Sequence, residues 1–243
     1  MQLPANPAIW ASLLVVAAAL LAAGCNSAPT GAGSGAGGGT VSGGAGGLGG
    51  SSSGGGGGVG GGGASAPGAM VAPAFTLTDA NGAAHSLAAY RGRWVVLEWT
   101  NPGCPFVRKH YDSKNMQALQ AKYAAAGVVW LGICSSAPGK QGYDEPAGWT
   151  RRAGAEGWNA TALLIDKDGA VGRLYGAKTT PHMFVIDPSG AIVYRGAIDD
   201  KRGPDPAEIV TARNHVAEAL DAGLAGRPVP VAETAPYGCS VKY

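Results

Sequence analysis

The N-terminal part of the chain lacks charge: no Asp, Glu, Lys or Arg precedes Asp79. All 18 basic and 16 acidic residues follow that point, and they leave a net charge of only +2. Because nucleic-acid binding depends on a strongly basic surface, this balance predicts no nucleic-acid partner.

The same part of the chain also lacks side chains that could form a core. Between Gly31 and Gly63 lie about half of the 42 glycines, and most of the other residues there are Ser or Ala. Such a composition cannot offset the entropy that folding costs. It predicts a flexible linker over residues 26–69 and one folded domain over residues 70–243, in which residues 225–243 form a C-terminal tail.

The run Ile9–Ala23 is apolar, too short to span a membrane comfortably, and ends in small residues. This pattern is typical of a secretory signal peptide, which we place over residues 1–25. Export implies a compartment in which disulfides can persist.

The end of this leader, Leu21-Ala22-Ala23-Gly24-Cys25, resembles the lipobox of bacterial lipoproteins. The resemblance implies that Cys25 becomes the lipidated first residue and anchors the protein to a membrane. Asn26, in place of Asp, implies the outer membrane, so the protein is expected at the periplasmic face of the cell envelope. Ordinary cleavage without lipidation and a retained helix are the alternatives.

Beyond Ala72 the hydrophobic pattern predicts a single α/β domain. Continuous apolar runs predict buried strands, helical spacing predicts helices, and Asn-Gly and Pro-Ser-Gly sequences predict turns. The predicted order is a hairpin over 75–87, a strand over 94–99, a helix over 105–125, a strand over 127–134, a helix over 146–155, a strand over 162–165, a hairpin of 183–186 with 192–195, and a helix over 207–224. This order predicts a mixed central sheet with helices on both faces and an N-terminal β-hairpin.

Two loops in this pattern resemble loops of the thioredoxin fold. The run Thr100-Asn101-Pro102-Gly103-Cys104-Pro105-Phe106-Val107 follows the first core strand, where thioredoxin-like proteins keep their Cys-x-x-Cys. Thr179-Thr180-Pro181 precedes a strand and looks like their cis-proline loop. With the element order, these runs make the chain similar to the redoxins grouped with alkyl hydroperoxide reductase and thiol-specific antioxidant proteins. The resemblance implies a thioredoxin-like sandwich, and a cis-Pro181 loop opposite Cys104 in which the Thr180 backbone can pair with a substrate strand.

Cys104 is the candidate nucleophile, because it falls at the junction of a buried strand and a helix that begins with Pro105. The positive helix end and its free N–H groups would lower the pKa of the thiol, and Arg108 and Lys109 add positive charge one turn later. The alternative is an inert core cysteine. The Asn-Pro-Gly loop before Cys104 argues against deep burial and favours the reactive interpretation.

Two expected partners of Cys104 are absent from the sequence. Val107 stands where the thioredoxin pattern has its second cysteine, so the usual local disulfide cannot form. The peroxiredoxin pattern would need Pro at position 97 and Thr or Ser at position 101, where this chain has Leu97 and Asn101, with Thr100 one place away. The chain therefore matches neither the complete thioredoxin pattern nor the complete peroxiredoxin pattern, and peroxidase activity becomes an alternative.

Glu98 and His182 are candidates to assist the thiol. Glu98 interrupts an apolar strand six residues before Cys104, in the place of the buried Asp that moves the thiol proton in the thioredoxin family. It would be a general base of raised pKa, and an outward-facing Glu or a salt bridge is the alternative. His182, directly after Pro181, would favour the thiolate if it faced Cys104, or else would serve packing.

No cofactor and no metal is predicted. Cys104, His110, His182 and Cys239 are side chains capable of binding a metal, but none of them stands in Cys-x-x-Cys or His-x-x-x-His spacing. Copper or zinc binding is therefore the minor alternative.

Cys239 is the predicted second catalytic thiol. With Cys25 lipidated, Cys134 and Cys239 remain as possible partners of Cys104. Cys134 ends an apolar strand and is expected to be buried, whereas Tyr237 and Gly238 can anchor and turn the tail to present Cys239. A Cys104–Cys134 link, a static disulfide and a free thiol at Cys239 are the alternatives.

The sequence therefore predicts a thiol-dependent oxidoreductase of the cell envelope. Its Cys104 thiolate would attack a disulfide or a hydroperoxide, and a second thiol would resolve the mixed disulfide or sulfenic acid. The expected partners are a thiol or disulfide protein or a small-molecule oxidant. A thiol peroxidase, and a non-catalytic domain that binds a partner or metal at the same loop, are the alternatives.

Overall fold

A computed structural model of the chain describes residues 70–243. The predicted signal peptide, the lipidation site at Cys25 and the predicted linker over residues 26–69 lie outside the described residues. Between residues 70 and 243, no helix is long and apolar enough to cross a membrane.

An eight-stranded mixed sheet forms the centre of the domain, and a two-stranded sheet lies apart from it. The strands are β1 (Met70–Val71), β2 (Thr76–Asp79), β3 (Ala84–Ser86), β4 (Val95–Trp99), β5 (Val129–Cys134), β6 (Ala162–Ile165), β7 (Thr179–Thr180), β8 (His182–Ile186), β9 (Ala191–Gly196) and β10 (Cys239–Ser240). The large sheet has the order β1-β9-β8-β4-β5-β6-β2-β3, and β10 pairs with β7. Within the large sheet, β4, β5 and β6 are parallel to one another, and the other pairs are antiparallel.

Helices cover both faces of the large sheet. They are α1 (Pro105–Asp112), α2 (Asn115–Ala125), α3 (Pro146–Glu156), α4 (Ala170–Tyr175) and α5 (His215–Leu224). Side chains of α1, α2 and α5 share one buried cluster with Val96, and those of α4 share a second cluster with Val95 and Leu97. Because successive residues of a strand point to opposite faces, β4 supplies both clusters. This architecture confirms the predicted thioredoxin-like sandwich.

Two helices predicted as continuous are each broken in the structure. The helix predicted over 105–125 divides into α1 and α2 at Lys114, which adopts a left-handed φ of 62°. Both halves pack on the same face, so apolar spacing alone could not show the break. The helix predicted over 207–224 begins only at His215, where the Asn214 side chain accepts from the Ala217 N–H.

The residues before that cap form a separate short element that the sequence did not indicate. Pro206–Thr211 is a 3₁₀ helix that buries no residue, so the amphipathic pattern does not extend through it. The helix α4 was not predicted either. It spans six residues between the left-handed Gly169 and Gly176, a length too short for periodicity to be read.

Glu98 lies in the middle of β4 and is fully buried. Its carboxylate accepts from the Tyr111 hydroxyl at 2.9 Å, the Trp130 indole at 2.8 Å and the Gln120 amide at 3.4 Å. Burial raises the pKa of Glu98 above its ordinary value, although these donors oppose the shift. Since β4 lies between β8 and β5, the alternative of an outward-facing Glu on an edge strand is wrong.

We expect Glu98 to make the stability of the domain fall as pH rises. A folded-state pKa raised above the unfolded value of about 4.3 means that the folded chain binds the proton more tightly. This contribution is fully present below the unfolded pKa and is lost as pH rises through the folded pKa, at about 1.4 kcal/mol per unit of pKa difference. Denaturant unfolding at a series of pH values should show the loss, and Glu98→Gln should reduce it. Equal pH slopes in the two proteins would contradict this interpretation of the buried acid.

Candidate active site

Cys104 caps the N-terminus of α1, as the sequence predicted, and Pro105 is the first residue of that helix. Its extended backbone, with φ −87° and ψ 124°, turns the chain from the loop after β4 into the helix. The polar loop argued against deep burial, yet Cys104 has no exposed surface. The reason is that the C-terminal tail folds back over the loop, where Cys239 hydrogen-bonds to Cys104.

Asn101 fixes the loop that carries Cys104. Its Oδ1 accepts from the Gly103 N–H at 2.8 Å, and its Nδ2 donates to the Gln141 carbonyl at 3.0 Å. The Gln141 side chain in turn donates to the Gly103 carbonyl at 2.9 Å. Sequence analysis missed Gln141, because its role exists only where two loops distant in sequence meet.

The proline loop lies across from Cys104, as the resemblance implied. The Thr180–Pro181 peptide is cis. The Cys104 thiol donates to the Thr180 carbonyl oxygen at 3.0 Å. Thr180 is buried, and it lies just before β8. β8 pairs with β4, the strand that leads into the active-site loop.

The C-terminal tail occupies the edge of this proline loop. In the antiparallel pairing of β10 with β7, Cys239 stands opposite Thr180, and Ser240 stands opposite Thr179. Gly238 has a φ of 129°, and a Cβ atom there would collide with the Thr180 carbonyl oxygen. Only glycine therefore allows the tail to approach this closely. The edge at which a substrate strand was expected to pair is taken by the chain itself.

The thiols of Cys104 and Cys239 influence each other's ionisation. Burial disfavours the Cys104 thiolate, but hydrogen bonds from the side chain and backbone of Cys239 and from the Val107 backbone lower its pKa below the usual value. Burial and the hydrogen bond to Cys104 raise the pKa of Cys239 to about 11. Of the two thiols, Cys104 is therefore the more acidic, and Cys239 keeps its proton to higher pH. Both are free thiols, with no disulfide between them.

Cys134 lies in a different part of the domain from this pair. It shares a small buried cluster with Trp149 and Leu163. Its thiol donates to the Gly142 carbonyl at 3.5 Å, and burial raises its pKa. Its surroundings are those that the sequence predicted for an inert thiol.

The basic side chains that follow Cys104 are engaged with carboxylates. Arg108 pairs with Glu156 at 2.6 Å and also with Asp112 on its own helix. Lys109 is fully buried and lies 3.2 Å from a Glu208 oxygen. The sequence predicted that these cations add positive charge near the thiol, but the nearby carboxylates offset much of that charge.

His182 packs against Phe184, on the face of β8 opposite to the cluster that contains Cys104. Its Nδ1 accepts from the Lys178 N–H at 3.3 Å, and its ring lies 4.7 Å from that of Phe184. Phe184 and His182 share one face of β8, while Met183 points to the opposite face and into the cluster that contains Cys104. Burial lowers the pKa of His182 to about 4, so the imidazole is neutral near pH 7.

The remaining sequence candidates do not converge on a metal site. Over residues 70–243, no group of three or more His, Cys, Asp or Glu side chains could hold a metal ion. His110 is buried in α1, where it bonds to Asn115 and to Tyr237. Thr100, beside the active-site loop, is buried.

Asp199 is a second residue that sequence analysis missed. It is 1% exposed and accepts from the Tyr237 hydroxyl of the tail at 2.5 Å. The signal available in the sequence was indirect: a tyrosine expected to anchor the tail by burial needs a polar partner for its hydroxyl. Nothing in the sequence indicated which of the 16 acidic residues supplies it.

Comparisons with known proteins match this architecture. An uncharacterized conserved protein from Geobacillus kaustophilus is 28% identical, with coverage of 72% of this chain and 91% of that chain and a TM-score of 0.62. A hypothetical protein from Sinorhizobium meliloti 1021 is 25% identical, with coverage of 72% and 93% and a TM-score of 0.62. No curated protein sequence matches the chain significantly.

The model of the AhpC/TSA family matches residues 69–195, slightly more than half of the chain. The matched span contains Cys104 and Pro181 and ends before the tail that carries Cys239. The chain therefore belongs to the AhpC/TSA family, and its function is a redox function.

Proposed function

We propose that the protein is a thiol–disulfide oxidoreductase in which Cys104 is the nucleophile and Cys239 is the resolving thiol. The observation that carries the proposal is the contact between the two thiols, made where β10 pairs with β7. Cys134 has no such contact, because its thiol bonds to a loop carbonyl in another cluster.

The reaction proceeds in two exchanges. The Cys104 thiolate attacks one sulfur of a substrate disulfide, forms a mixed disulfide and releases the other substrate sulfur as a thiolate. Cys239 then loses its proton and attacks the Cys104 sulfur, which releases the second substrate thiolate and forms a Cys104–Cys239 disulfide. The substrate gains two electrons, the cysteine pair loses two, and a thiol reductant restores the pair.

The coupling of the two thiols sets the order of these exchanges. While Cys104 is a thiolate, its hydrogen bond and its charge help to hold Cys239 in the protonated state. Once the Cys104 sulfur is bonded to substrate, both of these effects disappear and the pKa of Cys239 falls, although burial, the largest cause of its rise, still acts while the tail stays in place. Cys239 thus becomes a better nucleophile after Cys104 has reacted.

The surroundings of Cys104 favour disulfides over hydroperoxides. Peroxide reduction needs a hydroxyl and an arginine placed to polarise the O–O bond. Arg108 is instead paired with Asp112 and Glu156, and Asn101 uses its side chain to hold the active-site loop. We keep the thiol peroxidase as the alternative function.

Glu98 is the proposed acceptor of the thiol proton. Its buried carboxylate, with a raised pKa, bonds to the Tyr111 hydroxyl, and Tyr111 shares a buried cluster with Cys104. A base of raised pKa is suited to proton transfer near neutral pH.

Cysteine variants should separate the two exchanges. Cys104→Ser should reduce turnover of a model disulfide by on the order of 10³-fold or more, because the nucleophile is lost. Cys239→Ser should retain the first attack and accumulate a mixed disulfide at Cys104. Cys134→Ser, which removes a buried thiol outside the pair, should retain native turnover. Disulfide reduction with dithiothreitol as donor measures turnover of all three variants, and intact mass after exposure to the model disulfide without dithiothreitol detects the mixed disulfide.

Three results would contradict this assignment. Faster turnover of hydrogen peroxide than of the disulfide would favour the peroxidase. Absence of turnover of either substrate by the native chain would favour a non-catalytic domain that binds a partner or a metal. A 104–134 link in peptide maps of the oxidised protein would move the resolving role to Cys134.

The thiolate of Cys104 should persist below the usual thiol range of pH. Its titration midpoint, followed by the ultraviolet absorbance of the thiolate in a Cys134→Ser background, should lie below that of an ordinary cysteine. Cys239→Ala should raise the midpoint, since it removes the S–H donor, and Cys239→Ser should stay closer to the native value because its hydroxyl still donates. A midpoint unchanged by Cys239→Ala would contradict the coupling.

We further propose that the protein is exported and anchored to the outer membrane by lipid on Cys25, with the linker over 26–69 separating the anchor from the domain. The apolar leader and its lipobox-like end support this proposal. The full chain should fractionate with membranes in a Gram-negative host, and Cys25→Ala should release it.

A chain that begins at Met70 should be soluble and unfold cooperatively, because the buried clusters begin at Ala72. Membrane association of Cys25→Ala, or a molten 70–243 chain, would contradict the proposal.

A further inference from the structure

Tyr237, two residues before Cys239, is the deepest anchor of the C-terminal tail. It is 5% exposed, whereas its neighbours from Val231 to Tyr243 are all at least partly exposed. Its ring meets that of Phe106 edge-on, with centroids 6.0 Å apart. Because Phe106 is in α1, Tyr237 attaches the tail to the helix that carries Cys104 at its N-terminus.

The Tyr237 hydroxyl donates to Oδ1 of Asp199 at 2.5 Å. The Lys109 ammonium lies 3.9 Å from the same oxygen and 5.6 Å from the centroid of the Tyr237 ring. Burial raises the pKa of Asp199, while the Tyr237 bond and the Lys109 charge oppose the shift. A carboxylate in this position is a strong acceptor, since hydrogen bonds to charged groups exceed neutral ones in strength.

His110 adds a second bond to the Tyr237 hydroxyl. Its Nδ1 lies 2.9 Å from the Asn115 amide nitrogen, which donates to it, so Nε2 carries the proton and donates to the Tyr237 oxygen at 3.2 Å. Burial lowers the pKa of His110 to about 3, which keeps the ring neutral. The hydrogen bonds therefore run in one direction, from amide through imidazole and phenol to carboxylate, and each strengthens the next.

The position of Tyr237 determines how far Cys239 can move. With Tyr237 held, two residues separate the thiol from its anchor, which limits its reach to about 7 Å. The next anchor upstream is Thr234, whose Oγ1 accepts from the Ala197 N–H at 3.0 Å. With Tyr237 released, and with residues 241–243 displaced from the proline loop together with β10, five residues would be free, and the reach would grow to about 17 Å. The local concentration of Cys239 at Cys104 would then fall roughly 4- to 15-fold.

This restraint matters most while a substrate is bound. A protein disulfide that pairs with β7 displaces β10, since both use the same edge at Thr179 and Thr180. Gly238, with a φ of 129° that suits glycine alone, lies between the anchor and the thiol and can act as the pivot. Cys239 then swings away from the edge while Tyr237 stays in place.

We infer that Asp199 is a positioning residue of the redox reaction, which holds Tyr237 and so keeps Cys239 within reach of Cys104 after a substrate has displaced β10. The inference rests on the proposed function, because it requires Cys239 to resolve the mixed disulfide. Lys109 and His110 support Asp199 by charge and by the second hydrogen bond to Tyr237. We call Asp199, Tyr237, Lys109 and His110 the Tyr237 latch. The match to the family model ends at residue 195, so Asp199 and Tyr237 lie beyond it.

A two-phase assay tests the latch on the full chain in a Cys25→Ala, Cys134→Ser background. A limiting amount of an extended cysteine peptide, joined through its sulfur to thionitrobenzoate, releases the coloured thiolate when Cys104 attacks the peptide sulfur. It releases the peptide thiolate when Cys239 resolves the mixed disulfide, a phase followed by intact mass of quenched samples. Tyr237→Phe and Asp199→Asn should slow the second phase by roughly 4- to 15-fold without slowing the first. A purely structural defect would not separate the two phases in this way.

Tyr243→Phe is the matched control, because it removes a hydroxyl of the same tail that donates to the Ala177 carbonyl at 2.8 Å. It should resolve at the native rate. Native second-phase rates in Tyr237→Phe and Asp199→Asn, or equal slowing by Tyr243→Phe, would overturn the inference. If Cys239→Ser released the second thiolate at the native rate, the proposed function itself would fail. If Cys239→Ser blocked that release and the latch variants did not slow it, only the latch would fail.

Discussion

The pairing of two residues of the tail with two residues of the proline loop is the interaction on which the site depends. It places Cys239 opposite Thr180 and brings its thiol to Cys104. Without it, Cys104 would be a single cysteine at a helix N-terminus, with Val107 where a local partner is expected. The pairing supplies a hydrogen-bond donor to the thiolate, removes the nucleophile from solvent, and fills the edge at which a substrate strand would pair. One short strand thus lowers the pKa of Cys104, removes it from solvent and brings a second thiol to it.

The domain also buries several ionisable groups, and each is matched to its surroundings differently. Glu98 accepts three hydrogen bonds inside the sheet, and burial still raises its pKa. Asp199 and Lys109 lie together under the tail, where the cation offsets part of the cost of burying the carboxylate. The two acids connect to α1 by different routes. Glu98 bonds to Tyr111 of that helix, and Asp199 bonds to Tyr237, whose ring packs on Phe106 of the same helix. The active-site helix is therefore fixed on two sides, toward the sheet by one acid and toward the tail by the other.

Much of the fold was predictable, because the hydrophobic pattern and the turn residues agree with the final structure. The strand over Ala162–Ile165 and the helix that begins at Pro146 occur as predicted, since a buried run and an N-terminal proline are local signals. The breaks at Lys114 and before Asn214 were not predictable from spacing. Apolar residues on both sides of the first break pack on one face, so periodicity continues across it. Strands of two residues, such as β7 and β10, carry no periodic signal and form only when their partners meet.

Residue order alone establishes the chemistry available to this protein: a cysteine ahead of a proline-initiated helix, an acid within an apolar run six residues earlier, a Thr-Pro loop, and a terminal tyrosine, glycine and cysteine. Residue type and local backbone preference are properties of short segments, and they can be read directly. Folding brings Cys239 rather than Cys134 to Cys104, places His182 on the opposite face of β8, and uses Asp199 and Gln141 to hold the tail and the loop. Those outcomes depend on contacts between segments far apart in sequence, which no local pattern encodes.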